Sequence, residues 1–311
     1  MLFKENSPVV VVTGVSGFIG RAVAQHYRKQ GWQVVGISPS ALENGPLVDA
    51  YYSMRLPDPL FADLIVKHRP RALIHCAGRA SVPLSMSDPA SDYHSGPRVI
   101  FSILDTLRKS LPECRFLMLS SAAVYGNPVN MPVTETLEPA PLSPYGFHKW
   151  QSELLCLDFS RVFGLATAST RIFSAYGPGL RRQAVWDICR KAISGEKMVL
   201  QGTGTESRDF LHVSDVVRGL KIIMDHAPME GECYNLGCGQ ETTIEQLVTM
   251  IMENLCCPNR VEFDGKVPSG NPLRWCADIN RLNKLGFSPT VSLSVGIRVT
   301  TDWCKSELEV I

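Results

Sequence analysis

The stretch Val9 to Gly20, V-V-V-V-T-G-V-S-G-F-I-G, constrains the fold more than any other part of the chain. Four β-branched residues in a row, without polar alternation, read as a strand buried on both faces of a parallel sheet. The run ends at Thr13-Gly14. Gly17 and Gly20 follow at three-residue steps, before a segment of helical pattern from Phe18 to Gln30 that closes on Gly31. In such a strand-turn-helix unit Gly14 permits the tight turn, Gly17 lets backbone approach a ligand, and Gly20 lets helix pack on strand. The helix start, with Phe18 and Ile19, then offers unpaired N–H groups to an anion such as a dinucleotide pyrophosphate. The spacing is G-x-x-G-x-x-G, so the loop alone is also compatible with a purely structural turn.

Further along, Trp32 to Ile37, Arg71 to His75, Arg115 to Leu119 and Ala166 to Phe173 read as strands, with helices predicted over Asp63 to His68, Pro89 to Leu111 and Pro144 to Phe163. This alternation predicts a doubly wound parallel sheet with helices on both faces. After Gly177-Pro178-Gly179 the elements shorten: helices near Ala184 to Ser194, from Ser214, over Ile244 to Glu253 and over Leu293 to Leu308, with a strand at Cys233 to Leu236. The expected division is a dinucleotide-binding domain over 1–171, which also receives roughly 210–240, and a smaller interleaved α/β substrate lobe over most of 172–311.

With 311 residues, 45% hydrophobic and a net charge of +1, the chain has no electrostatic signature of nucleic-acid or anionic-membrane binding. No run approaches a membrane span, and the first residues lead into a strand without the apolar region of a signal peptide. The ten cysteines form no C-x-x-C pair and lack metal-site neighbours, so reduced thiols, no metal and a cytoplasmic address are expected.

Ser38 ends the second strand where a dinucleotide fold often carries an acidic residue for the adenosine ribose. No Lys or Arg follows until Arg55, so the choice between NAD and NADP stays open. Cys76-Ala77-Gly78 forms a small-residue turn on which a cofactor could lie, while His75 inside an apolar strand reads as a packed residue. Tyr145 and Lys149, in Y-G-F-H-K after Pro144, project from one helix face. An ammonium near a phenol lowers the phenol's pKa, so Tyr145 is expected to act as acid or base near neutrality. Ser121, at the end of its strand beside Ser120, could hold the same substrate oxygen.

These residues bring out a resemblance. T-G-V-S-G-F-I-G (13–20), H-C-A-G (75–78), S-S-A-A-V-Y-G (120–126), S-P-Y-G-F-H-K (143–149), R-I-F-S-A-Y-G-P-G (171–179) and S-R-D-F-L-H-V-S-D-V (207–216) resemble, in order, the extended short-chain dehydrogenases/reductases. The similarity is greatest to their nucleotide-sugar epimerases, dehydratases and reductases. It implies a Rossmann-type sheet, a nicotinamide cofactor against Gly14, Gly17, Phe18, Ile19, Gly20, Ser38, Ala77, Gly78, Ser120, Tyr145 and Lys149, and a nucleoside-diphosphate sugar between the lobes. By the same resemblance Tyr145 exchanges a proton with the sugar oxygen, Lys149 tunes it and holds the nicotinamide ribose, and Ser121 bonds the same oxygen.

Expected substrate contacts are Ser81, Ser121, Ser174, Arg182, Arg208 and Arg274. Arg208 suits the diphosphate, since guanidinium matches phosphate oxygens in pairs; the alternative is an arginine at the surface or paired with Asp209. Arg181, Arg182, Trp186 and Asp187 follow the glycine break, and one arginine is expected to face substrate. Arg274 would replace the arginine of a family R-x-G-D segment that here reads P-S-G-N (268–271), or would stack on Trp275. Ala122-Ala123 stand where the family's 4,6-dehydratases carry Asp-Glu, which disfavours dehydration. Tyr93 and Ser174 stand where the family often has Asn. A 4-epimerase cycling hydride through NAD is the leading expectation, an NAD(P)H-dependent 4-keto-6-deoxy-sugar reductase its rival, and a non-catalytic cofactor sensor a third class. Relatives pair two long helices as a four-helix bundle, so a homodimer is expected.

Overall fold

The computed structural model describes residues 7–42, 47–195, 197–257, 261–266, 270 and 272–309. β1 (Val9–Thr13) carries the apolar run, with Val10, Val11 and Val12 wholly buried. α1 (Phe18–Lys29) follows, then β2 (Gln33–Ser38), β3 (Ala50–Ser53), α2 (Phe61–His68) and β4 (Ala72–His75). α3 (Val82–Ser87), α4 (Pro89–Ser95) and α5 (Pro97–Ser110) lead to β5 (Arg115–Ser121), a 3-10 turn over Ala122–Tyr125, α6 (Pro144–Phe163) and β6 (Thr167–Ile172). The later elements are β7 (Ser174–Tyr176), α7 (Gln183–Ser194), β8 (Met198–Leu200), β9 (Ser207–Arg208), β10 (Phe210–His212) and α8 (Val213–His226). β11 (Glu230–Leu236), β12 (Thr242–Thr243), α9 (Ile244–Leu255), β13 (Val261–Phe263), α10 (Asn280–Asn283) and α11 (Leu293–Glu309) complete the chain.

Seven strands form one sheet in the order β11-β6-β5-β4-β1-β2-β3, and every pairing in it is parallel. The doubly wound Rossmann-type architecture is as expected. Because side chains alternate across the sheet, Val10 and Val12 pack with Val23, Ala24 and Leu220 on one face. Val11 packs with Ile65, Ile103 and Phe159 on the other. Strand order reverses between β1 and β4, and ligands of such sheets lie at that crevice. A separate apolar cluster, with Ile188, Cys189, Leu247, Ile251 and Ile297, joins α7, α9 and α11.

Three local differences from the sequence reading have simple causes. The helix predicted over Pro89 to Leu111 is two helices, broken at Gly96 (φ −110°, ψ −103°). Pro97 has no N–H for the helix and disfavours helical backbone in the residue before it. α3 is an added helix, started by Pro83 and capped by the Ser81 hydroxyl, which accepts from the Leu84 N–H at 3.3 Å. β3 is short, half-exposed and at the sheet edge, so its pattern is too weak to read from sequence. All ten cysteines are free thiols, and no metal-binding cluster occurs among the described residues. No described helix is long and apolar enough to cross a membrane.

Candidate active site

A cleft of about 1070 Å³ runs along the carboxyl ends of β1, β2, β4, β5 and β6 and on to α7. One wall is backbone. Gly14, at φ +67°, lies so close to the turn after β4 that a Cβ there would sit 2.6 Å from the Ala77 nitrogen. A Cβ on Gly20 would run into the Gly14 carbonyl oxygen. Gly17 caps α1 without any side-chain hydrogen bond, so the helix's first N–H groups face the cleft beside Phe18 and Ile19. This tight, side-chain-free cradle at a positive helix end fits a dinucleotide pyrophosphate. Ala77, Gly78, Ser120, Ser38 and Lys149 line the same cleft.

His75 is confirmed as a packed residue. It is buried and within 2.8 Å of the Thr13 hydroxyl, and burial lowers its pKa to about 3, so it stays neutral. Ser120 lines the cleft, but its hydroxyl donates to Glu153 at 2.5 Å. Glu153 is itself held by Arg171 (2.7 Å), which donates to Tyr125 (2.9 Å), which donates to Asn235 (2.7 Å). This buried network fixes β5 and β6 behind the site; loss of one ion partner would cost about 3–5 kcal/mol.

Ser121 and Tyr145 meet because of Gly146. A Cβ at Gly146 would lie 2.6 Å from the Ala123 oxygen, so only glycine lets α6 settle on the turn after β5. The Ser121 hydroxyl, which accepts from the Ala123 N–H at 3.1 Å, then lies beside the Tyr145 phenol, where its polarity favours the charged form. Lys149 reaches under them, donating to the Leu119 carbonyl at 2.7 Å with its Nζ 5.9 Å from the Tyr145 ring centre. Burial lowers Lys149 to about 8, with the Asp92 and Glu153 carboxylates opposing. Asp92 is buried and paired with His148 at 2.6 Å, an arrangement the sequence reading missed. A small cavity of about 20 Å³ lies between Asp92, His148 and Lys149, room for about one water.

The expected lowering of the Tyr145 pKa does not occur. Burial raises it, and the opposing influences of the Ser121 hydroxyl and the Arg182 charge are smaller. The Lys149 ammonium gives its hydrogen bond to a carbonyl rather than to the phenol, so desolvation dominates. Near neutrality the site therefore holds a proton-bearing phenol with a hydroxyl partner, able to donate a proton to a substrate oxygen.

The far end of the cleft is lined by Ser81, Ser174, Arg182, Asp187 and Arg208. Arg208 donates to the Ser207 carbonyl at 2.7 Å and lies 5.3 Å from the Trp275 ring centre, and burial lowers its pKa to about 10. It is not paired with Asp209, which accepts instead from the backbone N–H groups of Cys238, Gly239 and Ala277. Of the two neighbouring arginines Arg182 lines the cleft, while Arg181 pairs with Glu307. Arg274 neither stacks on Trp275 nor lines the cleft; it forms a two-pronged ion pair with Glu241, 2.6 Å at each contact. In the P-S-G-N segment Pro268, Ser269 and Asn271 lie outside the described residues, and Gly270 lines the cleft.

Residues 10–237 match the NAD-dependent epimerase/dehydratase family. A putative UDP-glucose 4-epimerase of Methanocaldococcus jannaschii is 25% identical, over 96% of this chain and 99% of its own. A GDP-6-deoxy-D-mannose reductase of Pseudomonas aeruginosa is 32% identical, over 94% and 96%. The crystal structure of a UDP-glucuronic acid 4-epimerase of Bacillus cereus, in complex with UDP-glucuronic acid and NAD, superposes with a TM-score of 0.88. It is 26% identical and covers 96% of this chain and 99% of its own. The match spans the glycine turn, Ser121, Tyr145 and Lys149 in one run. The chain is an extended short-chain dehydrogenase/reductase, an enzyme belonging to the NAD-dependent epimerase/dehydratase family.

Proposed function

We propose that this enzyme is a nucleoside-diphosphate-sugar 4-epimerase. The observation that carries the reading is the proton-transfer group at the reacting end: Tyr145, beside the Ser121 hydroxyl, with Ala122 and Ala123 where a second acid and base would stand. One such group serves one sugar hydroxyl, as oxidation and reduction at C4 require; expulsion of water needs more. Bound NAD supplies the hydride acceptor and donor at the ring carbon. Turnover in this direction starts from the Tyr145 phenolate, which the nearby Lys149 ammonium stabilises against the raising effect of burial; the phenolate takes the proton of the C4 oxygen and later returns it, while Ser121 orients that oxygen. Arg208 and Arg182 supply charge for the diphosphate, and Ser81 and Ser174 offer hydroxyls to the sugar.

A second reading, reduction of a nucleotide-linked 4-keto-6-deoxy sugar by NAD(P)H, has its own support. The raised Tyr145 pKa favours a proton donor, and the reductase relative is 32% identical.

The test is to incubate the protein with UDP-glucose, UDP-glucuronate and a GDP-linked 4-keto-6-deoxy sugar, following sugars by NMR and the nicotinamide by absorbance. A C4 epimer formed with no net change in nicotinamide supports the epimerase. Consumption of NADPH with the keto sugar alone replaces it with the reductase.

The homodimer belongs to the same reading. α5 and α6 expose Phe101 (52%), Phe147 (45%), Leu154 (48%) and Val162 (65%), apolar area that a second copy would bury as a four-helix bundle. Sedimentation as a monomer at micromolar concentration would remove it. A cytoplasmic address is in keeping with ten free cysteines.

A further inference from the structure

Behind the proton-transfer pair, α4 brings an acidic side chain towards Lys149. The break between α4 and α5 falls at Gly96, where a Cβ would lie 3.2 Å from the Asp92 backbone oxygen and 3.8 Å from the His148 Cβ. This close approach of α4 to α6 brings Asp92 and His148 together. Their side chains are 4% and 15% exposed, and His148 Nδ1 is 2.6 Å from Asp92 Oδ2. An ionised carboxylate only accepts, so Nδ1 is the donor. Both residues are also held by their backbones: the Ser95 hydroxyl donates to the Asp92 carbonyl at 3.1 Å and the Ser152 hydroxyl to the His148 carbonyl at 2.7 Å. Asp92, His148, Tyr145 and Lys149 line one cavity of about 20 Å³. A space of that size holds no bulk water to screen the carboxylate from the ammonium.

The other ionisable groups that face Lys149 are engaged elsewhere or uncharged. On its own helix Glu153 accepts from Arg171 at 2.7 Å and from the Ser120 hydroxyl. At the end of β4 His75 is neutral, and burial pushes the Cys76 thiol up to about 12, so it carries no charge near neutrality. Arg79 lines the same cavity and is paired with Asp88 at 3.4 Å. Among the described residues Asp92 has no arginine or lysine partner, and Lys149 gives its hydrogen bond to a carbonyl. The Asp92 charge favours the protonated form of Lys149 and of Tyr145 alike.

We propose that Asp92, anchored by His148, is a positioning residue for the reaction: across the cavity its carboxylate keeps Lys149 in the ammonium form and so sets the pH range over which Tyr145 exchanges its proton. The proposal rests on Tyr145 and Lys149 as the proton-transfer pair, not on which sugar reaction they serve.

Two variants test it. Asp92→Asn keeps the shape and removes the charge, and His148→Ala removes the anchor. Turnover is followed against pH, and the Lys149 ε-methylene signal is titrated by NMR of the full chain carrying isotope-labelled lysine, assigned by its absence in Lys149→Arg. In Asp92→Asn the turnover profile and the Lys149 titration are both expected to move to lower pH, by about one pH unit. In His148→Ala they are expected to move the same way by less. A purely structural role would lower turnover equally at every pH. That result, or a Lys149 titration unmoved in Asp92→Asn, would overturn the proposal. So would a move to higher pH in His148→Ala, since the pair would then carry no net negative charge. If Asp92→Asn does not fold, the direction of the His148→Ala titration decides. A chain that turns over no nucleotide sugar would remove the functional reading, and the NMR titration would still decide the role of Asp92.

Discussion

Gly14, Gly17 and Gly20 wall the dinucleotide end of the cleft with main chain, whereas Ser174, Arg182, Asp187 and Arg208 wall the sugar end with side chains. The first wall sits on a sheet whose central strand is wholly buried at Val10 to Val12. Its shape follows from where a Cβ cannot be. The second is assembled from β7, α7 and β9, held by capping contacts such as Asp209 on three backbone N–H groups. Change at the first wall should therefore act all at once on fold and cofactor. Change at the second should act residue by residue on substrate.

The sharpest probe lies where the two walls meet. Tyr145→Phe keeps the ring and loses the proton, so turnover is expected to fall by about 10²–10⁴ with cofactor affinity unchanged, measured by sugar conversion and by titration. Equal loss of cofactor binding would mean that the two ends are not separable there.

Gly20→Ala probes the backbone wall alone. Its Cβ would meet the Gly14 carbonyl, and overpacking of this kind costs about 1–3 kcal/mol. A lowered Tm together with weakened dinucleotide binding is expected; a variant of unchanged Tm and affinity would break the account of this wall.

Lys149 gives the comparison a pH dependence. Its pKa in the fold is about 8, below the model-compound value of 10.5. The ammonium is the form that stabilises a phenolate, so turnover is expected to decline as pH rises through about 8. Stability moves oppositely. Between pH 8 and 10.5 the unfolded chain holds the proton that the folded chain has released, so this group's contribution rises with pH. A turnover plateau across that range, read beside a thermal-melt series, would remove Lys149 from the proton chemistry.

At the sugar end Arg208→Ala is expected to weaken UDP binding about tenfold or more, with dinucleotide affinity intact, by titration with each nucleotide. Arg274→Ala, whose partner Glu241 lies outside the cleft lining, is expected to change UDP affinity less than about twofold. A reversed order would exchange the two arginines' roles.

The same contrast explains what the sequence discloses. The turn from Thr13 to Gly20 and the pair Tyr145 and Lys149 are local: their spacing alone puts them on one turn and one helix face. The edge strand β3 left no readable pattern, because it is short and has too few buried residues. In the argument from sequence Arg208 is matched to the diphosphate or to Asp209, and Arg274, next to Trp275 in the chain, is the arginine offered for stacking on that ring. Only the folded chain puts Arg208 over that ring and gives Arg274 to Glu241. The Tyr145 pKa was misjudged for a related reason, since helical spacing reveals the neighbouring ammonium but not the burial that outweighs it.

The central claim, that hydride leaves C4 of a nucleotide sugar and returns to the same carbon, has a direct measurement. UDP-glucose deuterated at C4 is incubated with the enzyme, and the label is located in the product by NMR and mass spectrometry. The account predicts a C4 epimer that keeps its deuterium at C4. Deuterium lost to solvent, transferred to added free nicotinamide cofactor in step with turnover, or found unmoved in unconverted UDP-glucose alongside every other UDP-sugar tried would contradict it.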